Sequence, residues 1–223
     1  MQIITTSDGS NTIYLPGINE QYHSVNGAVT ESEYVYIDKG FKFIKKKYPK
    51  VFEVGFGTGL NCLLTAIEAE KKKVDTLYIT IEKFPLSQTI TQQLNYGKII
   101  SKEALILFEK IHSSPWEKVI EISDYFQLKK INADLISFDF KQNEKFDMIY
   151  FDAFGPDKQP EMWTPEIFEK IHSITSENGV LVTYSAKGEV RRQLTTCGFV
   201  MERIPGPPGK KQMLRGINKK STN

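Results

Sequence analysis

The stretch "VFEVGFGTGLN", Val51 to Asn61, decides how the rest of the chain is read. "VFEV" is a short strand-forming run, and Leu60 opens a helical period. Between them Gly55, Gly57 and Gly59 alternate with Phe56 and Thr58. A strand that passes through bare backbone into a helix presents N–H groups and the positive end of the helix dipole, which together make an anion site. Glycine suits the turn because a side chain would block a ligand's approach.

Working outward, strands and helices alternate. "QIITT" and "NTIYL" flank the turn-rich "SDGSN" and predict an opening β-hairpin. Glu31 to Tyr48 reads as an amphipathic helix stopped by Pro49. After the glycine loop come a helix over Leu60 to Lys71, the strand "TLYITIE", and helices over Leu86 to Asn95 and Lys102 to His112. "KVIEIS" and "YFQLKKI" alternate around Asp124 like a second hairpin. "ADLISF" and "KFDMIYFD" read as short strands, Pro165 to Thr175 as a helix, "GVLVTYS" as a strand and Glu189 to Thr196 as a helix. "GFVMERI" and "KKQMLRGI" close the chain around "PGPPG".

This order implies an α/β fold: a mostly parallel sheet with helices on both faces, an antiparallel C-terminal edge, and small N-terminal and internal β-hairpins. One domain is expected over 1–223, with a hairpin and cap helix at 1–48, a core at 49–223 and a hairpin insert at about 115–132. Ligands of such sheets bind beyond the carboxyl ends of the strands.

Composition narrows the setting. The chain is 40% hydrophobic and 25% charged, enough for a true core and too ordered in character for wholesale disorder. No apolar run approaches the ~20 residues of a membrane span. "MQIITTSDGS" lacks the plan of a signal peptide, so a cytoplasmic protein without membrane association is expected. Cys62 and Cys197 lie far apart and form neither a disulfide framework nor a four-cysteine metal site. The net charge of +2 is unevenly placed: from Lys187 onward nine Lys/Arg face two Glu, leaving −5 for the remainder. A basic tail on an acidic body fits a polyanionic partner or a solvated terminus, and charge alone leaves both open.

Acids stand at three strand ends: Glu53 before the glycine loop, Glu82 in "YITIEKF" and Asp152 in "MIYFDAFGP". The loop reads GxGxG, where a nicotinamide fingerprint is GxGxxG. Leu60-Asn61 stands where a P-loop needs Lys-Ser/Thr. Glu82 has the place of an acid that holds ribose hydroxyls, about 20 residues beyond the loop. S-adenosylmethionine meets every requirement: a carboxylate for the loop, a ribose for Glu82, and a cationic sulfonium for acids and aromatic faces.

Six spaced motifs then carry a resemblance over nearly the whole chain. They are "YHSVNGAVTESEYVYI" (Tyr22 to Ile37), "GFGTGLNCL", "EKFPL" (Glu82 to Leu86), "DAFGPDKQPEMW" (Asp152 to Trp163), "YSAKGEVRRQL" (Tyr184 to Leu194) and "GPPGKKQMLRG" (Gly206 to Gly216). In these the chain resembles the methyltransferase domain of the MnmC family, which methylates 5-aminomethyl-uridine at the wobble position of certain tRNAs. The resemblance implies a Rossmann-like methyltransferase fold using S-adenosylmethionine, and the residues themselves give no reason to expect a flavin or a metal. It places Glu53, Gly55, Phe56, Gly57, Gly59 and Asn61 around the methionine part and Glu82 and Lys83 at the ribose. Asp139 would lie near the adenine, and Tyr22 and Glu31 would close over the cofactor. Asp152 would stand at the transfer site, with Phe154 and Pro156 shaping the slot for the extruded base. Many family members continue into a flavin-dependent oxidase. This chain shows no second glycine-rich dinucleotide motif, so a functional link to a separate enzyme that supplies the aminomethyl group is expected.

Methyl transfer to an amine needs a neutral nitrogen with its lone pair aimed in line, so positioning supplies much of the rate. Asp152 is expected to accept an N–H bond from that amine and to take or pass on a proton. The resemblance implies tRNA as the partner, its anticodon-loop base turned outward, with Arg191, Arg192, Lys210, Lys211 and Arg215 expected to hold phosphates. Trp116 and Trp163 are read as core or lid packing, and His23, His112 and His172 receive no catalytic role. Two alternatives are a methyl- or aminopropyltransferase acting on a small amine and a non-catalytic RNA-binding relic of the fold. A basic C-terminal third opposes the former, and the retained acids and glycine loop oppose the latter. A nicotinamide-dependent oxidoreductase ranks last on loop spacing.

Overall fold

A computed structural model describes residues 1–219. The opening segment forms β1 (Gln2–Thr5), β2 (Asn11–Leu15) and β3 (Glu20–Gln21), a small antiparallel sheet of its own. It leads into α1 (Ala28–Ser32), which runs on as a π-helical turn over Glu33–Asp38 and a 3₁₀ turn over Phe41–Phe43. The single helix expected from Glu31 to Tyr48 is therefore cut short. Gly40 stops it, and beyond that point Lys45-Lys46-Lys47 offers no apolar face to bury. The widened turn brings Val35, Tyr36 and Ile37 into the interior.

The main sheet contains β4 (Lys50–Val54), β5 (Thr76–Glu82), β6 (Val119–Ser123), β7 (Phe126–Asn132), β8 (Phe146–Phe151), β9 (Thr175–Thr183), β10 (Val200–Pro205) and β11 (Gln212–Ile217). Their order is β10-β11-β9-β8-β4-β5-β7-β6. The run from β9 to β7 is parallel, and β10, β11 and β6 attach through antiparallel pairs. The C-terminal antiparallel edge is as expected. The hairpin expected at about 115–132 forms, yet it is no insert apart from the sheet. β7 pairs with β5 from Thr76↔Phe126 to Glu82↔Asn132, and so extends the parallel core.

Helices cover both faces. α2 (Leu60–Lys72), α3 (Gln88–Thr91), α4 (Tyr96–Ile100) and α5 (Lys102–Ser113) precede β6, while α6 (Pro165–Ile174) and α7 (Gly188–Thr196) flank β9. Only Gln88–Thr91 of the helix expected from Leu86 to Asn95 is regular. Alternation along β4 divides the core. Val51 packs with α2 and α5, while Phe52 and Val54 pack with α6 and α7.

"ADLISF" does not form a strand. Asp134 accepts a hydrogen bond from the Ile136 N–H at 3.0 Å, and Lys170 Nζ donates to the carbonyls of Leu135, Ile136 and Phe138. The side chain of Asp134 thus turns the chain locally and the lysine holds the turn. Among the described residues, no helix is long and apolar enough to cross a membrane.

Candidate active site

The carboxyl ends of β4, β5, β7, β8 and β9 open into one cleft of about 620 Å³, a size typical of small-molecule sites at about 300–1,000 Å³. Gly55 to Thr58, Glu82, Asp152 and Tyr184 line it from the sheet side. Tyr22, Glu31 and Tyr36 close it from the N-terminal segment.

The glycine loop needs its bare backbone for the protein's own packing. At Gly55, where φ is 88°, a Cβ would stand 2.9 Å from the Asp152 carbonyl oxygen. At Gly57, φ is 49° and a Cβ would press on the Tyr22 ring at 3.0 Å. The glycine N–H groups are also occupied. Gly55 donates to the Ile81 carbonyl at 3.0 Å, Gly57 to Glu82 Oε2 at 3.0 Å and Gly59 to the Phe56 carbonyl at 2.8 Å. These bonds take the three glycine N–H groups out of the anion site expected at the loop. Thr58 is braced from two sides, by His23 Nε2 on its hydroxyl at 2.7 Å and His112 Nε2 on its carbonyl at 3.1 Å. Burial holds both imidazoles down at about 4, so they are neutral struts.

Asp152 follows β8 directly and is half-buried at the cleft floor. Tyr36 donates its hydroxyl to Oδ1, and Asn61 Nδ2 donates to Oδ2 at 2.8 Å. Desolvation raises this carboxyl to about 7, against the two hydrogen bonds, which favour its ionised form; Glu31 adds to the rise and Lys210 opposes it. Both carboxylate oxygens are thus fixed in direction. The group can accept one more hydrogen bond and can change protonation near neutrality.

The other expected residues divide. Glu82 spans the glycine loop and its own turn, accepting from the Gly57 and Phe84 N–H groups. Lys83 pairs with Asp134 at 2.8 Å on the cleft rim. Phe154 supplies an aromatic wall, meeting the Tyr22 ring edge-on at 5.1 Å. Phe56 and Asn61 line the cleft. Pro156 occupies the same turn as Phe154 and stands outside the lining. Glu53 lies wholly buried behind Asn61, also outside it. Asp139 is displaced to a separate shallow depression with Phe138, Phe140 and Glu166, while Asp134 lines the cleft.

The basic tail divides as well. Lys210 reaches into the cleft, pairs with Glu31 at 2.6 Å and lies over the Tyr184 ring. Arg215 pairs with Glu202 at 2.8 Å and stacks on Phe43 at 3.7 Å. Both cations hold the protein's own segments together. Arg192 and Lys211 are exposed and Arg191 is half-buried. Trp163 is core, packed on Phe151 and Phe168, and Trp116 packs on Phe56.

Sequence reasoning passes over Tyr36, Asp134 and Tyr184. Tyr36 lies within a quoted motif, but a helix drawn from Glu31 to Tyr48 gives no reason to aim it at Asp152. The signal for Asp134 is its place two residues beyond the end of β7, close to the criterion that selects Glu82 and Asp152.

Comparison with known proteins identifies relatives of the chain. A family model described as S-adenosyl-L-methionine-dependent methyltransferase matches residues 107–219. The chain is 26% identical over 220 residues to the tRNA 5-methylaminomethyl-2-thiouridine biosynthesis bifunctional protein MnmC of Paraburkholderia phymatum, covering 93% of this chain and 33% of the relative. The protein of the same name from Pseudoalteromonas atlantica is 31% identical over 219 residues, covering 89% and 31%. The chain thus spans about a third of the length of the curated relatives it matches. The crystal structure of MNMC2 from Aquifex aeolicus superposes with a TM-score of 0.81 at 27% identity, covering 98% of this chain and 70% of that one. A methyltransferase from Pyrococcus furiosus shares the fold, with a TM-score of 0.51 at 15% identity over 92% of this chain and 91% of its own.

Proposed function

The chain belongs to the S-adenosyl-L-methionine-dependent methyltransferase family, and from that premise we propose that it methylates the exocyclic amine of 5-aminomethyl-(2-thio)uridine at the tRNA wobble position. The product is 5-methylaminomethyl-(2-thio)uridine. The observation that carries the reading is Asp152, fixed by Tyr36 and Asn61 at the floor of the cleft beside Phe154. The wider likeness to MnmC proteins favours tRNA among amine substrates.

The cleft suits the cofactor. Glu31, Glu82 and Asp152 line it together with the Tyr22 and Phe56 rings, a set of acids and aromatic faces that favours a sulfonium cation. Glu82 and Lys83 would hold the ribose end, and Asp134 takes the adenine-side role expected of Asp139. When bound, S-adenosylmethionine supplies an electrophilic methyl and a neutral thioether leaving group. The chain's own part is to bind, orient and exclude water.

Asp152 accepts an N–H of the substrate amine and so aims the nitrogen lone pair. The new C–N bond leaves nitrogen with one proton in excess, and a carboxylate poised at about 7 can take it. Tyr22 and Phe154 wall the transfer site, which keeps competing water out. Arg191, Arg192 and Lys211 hold the RNA backbone, while Lys210 holds the cleft closed through Glu31. The reading also implies a functional link to the enzyme activity that supplies the aminomethyl group.

The test is methyl incorporation from labelled S-adenosylmethionine into tRNA from cells lacking this protein, run beside a panel of polyamines. Label in tRNA alone supports the reading. Label in the polyamines alone returns the small-amine alternative, and cofactor binding without label in either supports a non-catalytic relic.

A further inference from the structure

A second carboxyl stands behind the transfer site. Glu53 is fully buried on β4, beside Thr80 of β5 and Tyr150 of β8 in strand register. Its face of the sheet is the one covered by α2, which carries Asn61. The polar groups that face it are the Thr80 and Tyr78 hydroxyls and the Asn61 amide. Among the described residues, no hydrogen bond closes on either Glu53 oxygen, on Asn61 Oδ1, on Tyr78 Oη or on Thr80 Oγ1, and all these atoms are buried. Buried polar atoms left unpaired are costly, and the groups of this set face one another.

Counting donors and acceptors narrows the solution. Tyr78 and Thr80 each have one proton to give. Asn61 Oδ1 can only accept, because Nδ2 of the same amide donates to Asp152 at 2.8 Å. An ionised Glu53 could also only accept, and would set a carboxylate against the Asn61 carbonyl. A neutral Glu53 completes the set. Its O–H would go to Asn61 Oδ1, and its carbonyl oxygen would be left to receive Tyr78 and Thr80.

We propose that Glu53 is a positioning residue for methyl transfer, donating to Asn61 Oδ1 and thereby locking the amide with Nδ2 toward Asp152. Desolvation drives the Glu53 carboxyl well above the usual range and the charge on Asp152 raises it further, against the hydrogen-bonding side chains of Thr80, Tyr78 and Asn61. Asp152, nearer the cleft, is raised only to about 7. Of two acids bridged by one amide, the deeper keeps the proton and the shallower stays free to meet the amine. With the proton on Asp152 instead, the amide would turn round and the transfer site would lose its acceptor.

The rate arm of the test rests on the methyl-transfer reading; the spectroscopic arm does not. Glu53→Gln keeps an N–H for Asn61 Oδ1 and a carbonyl for Tyr78 and Thr80, whereas Glu53→Leu keeps neither. The wild-type minus Glu53→Gln infrared difference spectrum should show the carbonyl stretch of a protonated carboxylic acid at neutral pH. Glu53→Gln should keep kcat within about threefold of wild type, while Glu53→Leu should lose at least about tenfold in kcat with little change in KM for tRNA. Absence of the band, or equal damage from Gln and Leu, would overturn the assignment. If Glu53→Leu does not fold, Asn61→Ala takes its place, and a wild-type kcat in that variant overturns the proposal as well. A wild type that binds cofactor yet methylates no tRNA would sink the function reading, while the infrared band would still decide the state of Glu53.

Discussion

Tyr36 donates its hydroxyl to Asp152 across 116 residues of chain, joining the π-helical turn of the cap segment to the end of a central strand. The bond favours the ionised carboxyl that desolvation opposes. Tyr36→Phe should therefore raise the Asp152 value and move the acid limb of the kcat profile to higher pH. It should also lower kcat by about ten- to a hundredfold through lost alignment, with cofactor affinity little changed. A pH profile that does not move would remove Tyr36 from the transfer site.

Asp152 also sets a pH-dependent strain on the fold. Its folded value of about 7 lies above the ordinary 3.8. Between those values the folded state keeps a proton that the unfolded chain releases, so this group's contribution to stability declines as pH rises through the window. Asp152→Asn removes that decline. Its melting temperature relative to wild type should rise from about pH 5 to about pH 8 while methyl transfer is lost. A difference that stays constant with pH would mean that Asp152 titrates as an ordinary carboxyl.

The basic residues should separate by salt dependence. Arg191→Glu with Arg192→Glu should weaken tRNA binding and flatten its slope against salt, by about 0.7–0.9 in log–log terms per lost phosphate contact. Arg215→Ala should leave that slope alone and lower the melting temperature, because its guanidinium is committed to Glu202 and Phe43. Filter binding at a series of salt concentrations distinguishes the two, and equal slopes for both variants would contradict the division.

Within the glycine loop, Gly55→Ala should harm more than Gly57→Ala. The new methyl at Gly55 meets backbone, the Asp152 carbonyl at 2.9 Å, whereas at Gly57 it meets a Tyr22 ring that can swing aside. Both carry the strain of a positive φ, roughly 1 kcal/mol or more. Calorimetric cofactor titration and thermal melts should rank them in that order. The reverse order would place the ligand, and not Asp152, as the close neighbour of the loop.

The strand-loop-helix from Val51 onward and the antiparallel closing pair were legible because hydrophobic period and turn residues agree there. Glu82 and Asp152 were legible for a related reason, since strand-end acids in a parallel sheet fall on the ligand side. What escaped depended on contacts distant in sequence. The helix from Glu31 has the right period but meets Gly40, and its π-helical turn is what carries Tyr36 to Asp152. Lys210 and Arg215 looked like free phosphate-binding cations, and their acidic partners, Glu31 and Glu202, come near only in the fold. "ADLISF" carries strand-like residues, but Asp134 and Lys170 satisfy its backbone another way. That turn leaves Asp134, and not Asp139, on the lining of the cleft.

The most direct measurement uses a synthetic anticodon stem-loop with a single 5-aminomethyl-uridine at the wobble position, incubated with this protein and S-adenosylmethionine. The expected result is a gain of one methyl on that nucleoside by mass spectrometry, no gain on a loop with plain uridine there, and loss of the reaction in Asp152→Ala with cofactor binding retained. Bound cofactor without methylation of the aminomethyl loop, or equal methylation of both loops, would contradict it.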